Sequence, residues 1–501
     1  MKTRRLLECA CAAVIALAGT SCTKNEPAVS YTWTTDGGLK ACNEILFKDG
    51  KADPEGKVIG NSDQEFVFTG RQTIKKGTYS LVGWVYIASG AVLTIEPGTI
   101  IKGDRQTKAA IIVERGGKLI AKGTVNEPIV FTSAQPKGSR KPGDWGGVIL
   151  CGKAPNNQSE MQIEGGPRTK HGGSDPDDNS GILSYVRIEF AGYPFEKDKE
   201  INGLTFGSVG KCTQVDHVQI SYSNDDSFEW FGGTVNVKYI IAYHGWDDDF
   251  DTDNGFSGNV QFALGIRDSK IADQSQSNGF ESDNCADGSA VNPYTTATFS
   301  NVTFVGPGAD KNYSNSSSYI TGGAFFPNNG SSLGKFQAAM QIRRNSRLNC
   351  FNSVALGYPV GLMLDNQKGD TRSAATKGLL KVQNVWFAGM DAVGSDANKV
   401  YDDVLVTGYD SSAQPVLDKT KKSFSSTWFA AQTGNKVLST ISGLGFAGDN
   451  YTPLAGSQVL NAASFTGLSS WFEKVGYIGA VPAGADWLKS WTNFNPENTD
   501  Y

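Results

Sequence analysis

Short apolar runs rich in β-branched side chains and separated by glycine dominate residues 80–133. The runs are Leu81–Ile87, Ala91–Ile95, Ala110–Val113 and Pro128–Phe131. Apolar and polar positions alternate only briefly within a run, and no run keeps a helical period over the length of a helix. Repeated short strands with tight turns are typical of a solenoid, in which each coil buries its inner face by stacking on the next. The pattern therefore predicts an all-β solenoid.

A longer repeat appears when Phe228, Phe250 and Phe280 are aligned, because an acidic residue follows each of them. Met340 and Leu362 occupy the same place further along the chain. A second strand recurs at residues 185–190, 218–222, 239–243, 302–305 and 354–356, and loops interrupt the spacing, chiefly at 153–181 and 285–336. A coil of about 22 residues with variable loops predicts a parallel β-helix with long loop insertions.

The beginning of the chain resembles a bacterial signal peptide, with a basic start, an apolar run over residues 10–18 and then small residues. Gly19-Thr20-Ser21-Cys22 resembles a lipobox, which predicts lipidation of Cys22 as the first mature residue. Ordinary secretory cleavage is the alternative. The lipid anchor predicts the membrane as a partner and an outer-membrane lipoprotein of the cell envelope, on either its periplasmic or its surface face.

The chain is accordingly divided into four parts. They are a signal peptide (1–21), a lipid-anchored tether with an N-terminal region (22–75), the parallel β-helix (76–400) and a C-terminal region that closes the solenoid (401–501). Residues 423–432 are expected to form a short helix within the last part.

The formal net charge of −5 conceals an asymmetry. Residues 171–290 contain 21 Asp or Glu and 7 Lys or Arg, a net charge of −14, which leaves +9 for the rest of the chain. Such a field excludes nucleic acid as an expected partner, since nucleic-acid binding needs a basic surface. It favours divalent cations, cationic ligands or an acid/base site. With only 3 His in the chain, any chemistry is expected to use carboxylates, arginine and a metal.

Several motifs carry a family resemblance. Glu96–Thr99, Gly117–Thr124 and Pro128–Ser133 resemble the opening coils of pectin-lyase-like right-handed β-helices. Gly143–Gly147, Asn224–Trp230, Trp246–Asp251, Tyr477–Ala480 and Trp491–Phe494 resemble a group of bacteroidete envelope lipoproteins. The resemblance covers most of the mature chain. It implies a right-handed fold and an envelope compartment but little chemistry, because that group has no settled activity.

The acidic residues that follow the aligned phenylalanines are the candidate site. If the phenylalanines point into the core, Glu229, Asp251 and Glu281 point outward, as do Asp253 and Asp283 two positions further on. Carboxylates on adjacent coils lie about 4.8 Å apart and repel one another, so they need a cation, a raised pKa or a basic partner. The first interpretation is calcium bound by these five carboxylates.

Two other interpretations compete with calcium binding. A carboxylate ladder can supply the pair of acids that a glycosidase needs, and Arg343 can serve as the base of a lyase beside calcium. Alternatively, the acids are simply solvated and Arg343 pairs with Asp283. Trp230 and Trp246 flank the acids and either stack on sugar rings or belong to the core.

The predicted function is an envelope lipoprotein whose acidic, calcium-binding face binds glycan or another extracellular ligand. A polysaccharide lyase or glycoside hydrolase is the alternative, and whether the chain is an enzyme stays open. Polysaccharide is the expected soluble partner.

Overall fold

The computed structural model describes residues 31–48, 51–52, 56–158, 160–196, 199–397, 405–411, 415–418 and 420–501. Thr32–Tyr501 form one compact unit. The predicted signal peptide (1–21) and the predicted lipidation site Cys22 lie outside the described residues. Within the described ranges, no helix is both long enough and apolar enough to cross a membrane.

The chain winds into a right-handed parallel β-helix, which confirms the predicted fold class. Each coil passes in turn through three faces, here called A, B and C, and the strands that form each face run parallel. Face A consists of Leu39–Cys42, Ala110–Val113, Gly147–Cys151, Leu204–Gly207, Phe228–Phe231, Phe250–Asp253, Phe280–Ser282, Ala338–Ile342, Val360–Leu364 and Ala392–Ser395, together with the ends of Val58–Phe68 and Thr78–Ile87.

Faces B and C share most of their strands. Arg71–Ile74, Val92–Ile95 and Lys118–Lys122 lie on face B, and Ile100–Gly103, Ile129–Ser133 and Lys436–Leu438 lie on face C. Seven long strands begin on face B and end on face C: Gly181–Glu189, Gln214–Ser221, Val237–Tyr243, Asn259–Ile266, Thr298–Val305, Asn349–Leu356 and Val382–Ala388.

Every one of these long strands bends at one residue with a positive φ. The bending residues are Tyr185, His217, Tyr239, Phe262, Asn301, Asn352 and Asn384, with φ between 50° and 61°. The first four stack ring on ring, with centroids 4.3, 4.6 and 4.8 Å apart in order. In the later coils asparagine replaces the rings, because its short side chain tolerates the left-handed region and can hydrogen-bond along the stack.

The interior follows the predicted repeat. Phe228, Phe250, Phe280, Met340 and Leu362 are paired in register on consecutive coils, and all five are fully buried. The predicted core ladder is therefore confirmed. A stack of large apolar side chains holds neighbouring coils together because each ring is removed from water by the coils above and below.

In the part of the chain that the structure describes, two α-helices accompany the coils, Thr371–Thr376 (α1) and Phe424–Ala431 (α2). Helix α2 confirms the helix expected at 423–432, and it begins where the Ser423 side chain accepts a hydrogen bond from the Ser426 N–H. Its Phe429 stacks on Phe387 of the last coils, with ring centroids 4.2 Å apart. Short 3-10 turns lie at Pro307–Ala309, Gly323–Phe325, Ile441–Leu444, Gln458–Asn461, Asp486–Leu488 and Pro496–Asn498.

Short antiparallel hairpins accompany the coils of the solenoid. Trp33–Asp36 pairs with Leu39–Cys42, Phe47–Lys48 with Lys51–Ala52, Met161–Gln162 with Lys170–His171, Pro194–Glu196 with Lys199–Glu200, and Val406–Tyr409 with Pro415–Leu417, all antiparallel.

Residues 440–501, here called the C-terminal strap, lie along the outside of face C. Side-chain amides of the coils donate hydrogen bonds to backbone carbonyl oxygens of the strap. Gln219 donates to Asn493, Gln261 to Glu473 and Asn301 to Tyr477. Apolar side chains of face C, such as Leu264 and Val354, pack against the strap. The strap thereby covers an outer face that would otherwise expose apolar surface.

The outer side of face A changes character along the solenoid. In the early coils it is apolar, with Tyr86, Ile112 and Ile149, and it is covered by Ile163 and Ile201 from the turns. Further along, the same row of outward positions becomes Glu229, Asp251 and Glu281. The acidic row therefore begins where the apolar cover ends.

Candidate functional site: an acidic cluster on face A

The structure stacks three of the predicted site residues directly on one another. Glu229 is paired with Asp251, and Asp251 with Glu281, across adjacent strands of face A. All three side chains are half-buried on the outer side of the sheet. Their neighbours Phe228, Phe250 and Phe280 fix this direction, because successive side chains of a strand point to opposite faces.

Two further carboxylates come from the turns that lead from face C into face A. Asp226 and Asp248 each stand two residues before an inward phenylalanine, and both are almost fully buried. The Asp226 Oδ1 accepts a hydrogen bond of 2.9 Å from the Asp248 N–H, and the Asp248 Oδ1 accepts one of 2.5 Å from the Asn278 N–H. Each acid thus fixes the backbone of the following coil and is itself held in place.

Together these five residues, Asp226, Glu229, Asp248, Asp251 and Glu281, form what is here called the acidic cluster. It contains two triads in which one carboxylate oxygen from each member lies within 4.8 Å of the others. The first triad is Asp226, Glu229 and Asp251, and the second is Asp248, Asp251 and Glu281. Asp251 belongs to both, so it is the geometric centre of the cluster. Asp225, Asp226 and Asp247 form a third group beside it.

One oxygen of the central carboxylate, Asp251 Oδ1, is buried and has no hydrogen-bond partner among the described residues. A buried carboxylate oxygen without a donor is costly, so an ion or a proton at this place stabilises the folded chain. Burial, followed by the charges of Glu229 and Glu281, raises the pKa of Asp251 well above its ordinary value.

The surrounding acids are affected in the same way. Burial, followed by charge on neighbouring carboxylates, raises the pKa of Asp226, Glu229 and Asp248 well above their ordinary values. Burial also raises the pKa of Glu281 to about 7, although the Arg343 guanidinium opposes the shift. The cluster therefore takes up protons at a higher pH than ordinary carboxyl groups do, unless a cation replaces them.

Two predicted ligands, Asp253 and Asp283, lie apart from both triads. Asp283 is occupied by two arginines: its Oδ1 lies 2.9 Å from Arg343 Nε and its Oδ2 lies 2.6 Å from Arg344 Nη1. Asp253 accepts a hydrogen bond of 2.5 Å from the backbone N–H of Asn254. Burial and the nearby Asp283 raise the pKa of Asp253 to about 7.

Arg343 is an ion-pair partner. Besides Asp283 it pairs with Glu281, and its side chain is 16% exposed. The carboxylates of Glu281 and Asp283 raise the pKa of Arg343 despite its burial. A lyase base must give up its proton, and these charges hold the proton on Arg343. Arg343 is better suited to neutralising the edge of the cluster.

The two predicted ligand-stacking tryptophans belong to the core. Trp230 and Trp246 are both 0% exposed, so a sugar cannot reach their rings, and the expectation of ligand stacking is wrong for both. Trp230 stacks between Phe206 and Phe256, with centroids 5.3 and 5.4 Å away. Its position follows from the strand period, because Trp230 stands two residues after the inward Phe228.

Asn202 adds a neutral group that the sequence patterns did not single out. It is buried, its Nδ2 donates to Glu229, and its Oδ1 has no partner within the described part of the chain. The five carboxylates of the acidic cluster offer only hard oxygen donors, which calcium prefers.

Comparison with known proteins identifies the fold family. Residues 67–437 match the family model described as a pectate-lyase like beta helix domain. No match was found among curated proteins or among solved structures. Because the family model covers more than half of the chain, and the coils have the architecture it describes, the chain belongs to the pectate-lyase like beta helix domain family.

Proposed function

We propose that the protein is a glycan-binding β-helix whose acidic cluster holds calcium, and that the cation completes the binding surface. The observation that carries the proposal is Asp251, which is shared by two carboxylate triads and has one buried oxygen without a hydrogen-bond donor among the described residues. Calcium takes six to eight oxygen ligands with flexible geometry, and the two triads offer carboxylates at suitable separations.

The role of the cation follows from charge. Without it, the carboxyl groups of the cluster either hold protons or carry a negative charge that repels anionic ligands. With calcium bound, the same surface offers a positive centre to which sugar hydroxyl or carboxylate oxygens can coordinate. Asp226, Glu229, Asp248, Asp251 and Glu281 would hold the ion, and Arg343 would remain paired at the edge.

Retention on immobilised polysaccharides tests this function. We expect wild-type protein to bind at least one polysaccharide in calcium and to be released by a chelator, because the cation is part of the surface. Asp251→Asn should abolish retention, whereas Asp177→Asn, at an exposed acid paired with Lys211, should not. Retention that persists in chelator, or in Asp251→Asn, would contradict the proposal.

A second function, polysaccharide cleavage, is favoured by one observation. Glu281 and Asp247 have pKa values raised to about 7, mainly by burial, which suits a general acid at neutral pH. Release of reducing or unsaturated sugars from the retained polysaccharide, lost in Glu281→Gln, would assign this activity. Retention without sugar release would assign binding alone.

The compartment is part of the proposal. We infer from the lipobox-like Gly19-Thr20-Ser21-Cys22 that a lipid on Cys22 tethers the β-helix to the outer membrane of the cell envelope. Mass spectrometry of the N-terminal peptide of the mature protein tests this, since an unmodified peptide beginning elsewhere would refute the anchor.

A further inference from the structure

The two carboxylate triads of the acidic cluster are the same arrangement on successive coils. In each triad, one acid stands two residues before an inward phenylalanine, one directly follows that phenylalanine, and one follows the inward phenylalanine of the next coil. Moving one coil along face A converts the first triad into the second, because Glu229 pairs with Asp251 and Asp251 pairs with Glu281. Since coils repeat about every 4.8 Å, the triads form two equivalent sites at that spacing.

The coils on either side carry neutral side chains at the same places. The step before the two triads consists of Asn202, Thr205 and Glu229, and the step after them consists of Asn278, Glu281 and Gln341. In the first of these steps Asn202 Nδ2 donates to Glu229. In the second, Asn278 Nδ2 donates to Gln341 Oε1 at 3.3 Å. The repeat therefore offers three carboxylates at two successive steps, and a single carboxylate at the step on each side.

Each triad has its own deeply buried acid with an unbonded oxygen. Asp226 is 7% exposed and Asp248 is 4% exposed. Within the described ranges, each accepts a hydrogen bond through Oδ1 but none through Oδ2. A carboxylate oxygen without a donor is costly in a side chain that is more than nine-tenths buried. Asp226 belongs only to the first triad and Asp248 only to the second, so each site has a need of its own for a positive charge.

The charge of the cluster matches two divalent cations. Its five carboxylates carry −5 when all are ionised, and the Arg343 guanidinium, which pairs with Glu281, brings this to −4. Asp283, the other partner of Arg343, is balanced by Arg344. One divalent cation would leave two negative charges uncompensated among half-buried groups, whereas two divalent cations would neutralise the cluster.

We propose that the acidic cluster binds two divalent cations on adjacent coils, with Asp251 as the carboxylate that bridges them. The first ion lies against Asp226, Glu229 and Asp251. The second lies against Asp248, Asp251 and Glu281. This second ion presupposes the calcium site of the proposed function and goes beyond it, because each ion has an acid that the other does not use. Three carboxylates, one of them shared, supply fewer than the six to eight oxygens that calcium takes, so both ions keep positions for other oxygen ligands.

Calorimetric titration with calcium chloride, together with native mass spectrometry, counts the ions. We expect two calcium ions for each wild-type chain, one in Asp226→Asn, one in Asp248→Asn and none in Asp251→Asn. Asparagine keeps an Oδ1 acceptor for the backbone N–H groups and removes a negative charge from a repelling cluster, so these variants should fold. Asp247→Asn is the matched control, because Asp247 is a neighbouring acid outside both triads, and this variant should keep two ions.

The possible results separate the second ion from the first. A single ion on the wild-type chain would overturn the bridged pair and leave the proposed calcium-dependent function standing, whereas no ion at all would remove both. Loss of both ions in Asp226→Asn or in Asp248→Asn would contradict the division into two triads. Loss of one ion in Asp247→Asn would overturn the placement of the second ion, because it would move that ion to the group of Asp225, Asp226 and Asp247.

Discussion

The buried pair of Asp249 and Arg267 shows how a single residue decides stability in this fold. Both side chains are 0% exposed, and Asp249 Oδ1 lies 3.0 Å from Arg267 Nη1. We expect Asp249→Ala to lower the free energy of unfolding by about 3–5 kcal/mol, because it leaves a buried guanidinium without a counterion. Urea denaturation measures the loss. Asp177→Asn, which removes an exposed pair with Lys211, should cost less than about 1 kcal/mol. Equal losses in the two variants would contradict this account.

At the residue scale, the strand period predicted side-chain direction wherever the strand was regular. It placed Phe228 and Phe250 inside and Glu229 and Asp251 outside, as observed. It did not reveal the contribution of Asp226 and Asp248, because both lie in turns where the period does not apply. Their signal was present in the alignment itself, since both stand two residues before an aligned phenylalanine.

At the element scale, each long strand turns from face B to face C at a corner residue with a positive φ. Asn352 has a φ of 50°, accepts hydrogen bonds from Asn384 Nδ2 and the Ser464 N–H, and donates to Ser300 Oγ. We expect Asn352→Ala to cost about 2–4 kcal/mol, from left-handed strain and unsatisfied partners together. Chemical denaturation measures this loss.

Asn352→Gly separates the two causes. Glycine adopts the positive φ without strain, so this variant should lose only the amide contacts and be more stable than Asn352→Ala. If the two variants were equally stable, strain in the left-handed backbone would make no contribution to the loss of stability in Asn352→Ala.

At the element scale, the sequence indicated repeated strands but only part of their pattern. The strand Asn259–Ile266 pairs with Val237–Tyr243 in the same stack, yet it was not among the strands predicted from the repeat. Its corner residue is Phe262, which is buried in the left-handed region where phenylalanine is rare. Local propensity does not signal such a residue, because the stacked rings around it select its conformation.

At the scale of the whole molecule, the carboxyl groups in and beside the acidic cluster make stability depend on pH in an unusual direction. The folded state raises the pKa of Asp247, Asp253 and Glu281 to about 7, whereas unfolded carboxyls titrate near pH 4. Between about pH 4 and pH 7 the folded chain therefore holds more protons than the unfolded chain, so stability falls as the pH rises. We expect the melting temperature in chelator to fall from about pH 5 to about pH 8.

Calcium should reverse this trend at the upper end. A cation that binds only the folded state raises the melting temperature, and it competes with fewer protons at high pH. The increment should therefore be larger at about pH 8 than at about pH 5. A melting temperature that stays constant or rises with pH in chelator would show that the carboxyls are not protonated as described.

The packing of the C-terminal residues on the solenoid was harder to predict than the coils themselves. The C-terminal region (401–501) was predicted to close the solenoid, but the place where it packs depends on contacts far apart in sequence. The strap follows face C back to the early coils, where Lys102 Nζ lies 2.7 Å from the Tyr501 carbonyl oxygen. Helix α2, which belongs to the same predicted region, packs on the last coils through Phe429 and Phe387.

Calorimetric titration with calcium near neutral pH tests the central claim most directly. The account predicts saturable binding to the wild-type chain, loss of that binding in Asp251→Asn, and retention in Asp177→Asn. Asp251 is decisive because both carboxylate triads depend on it. Absence of calcium binding to the folded wild-type protein, or binding of equal strength in Asp251→Asn, would contradict the account.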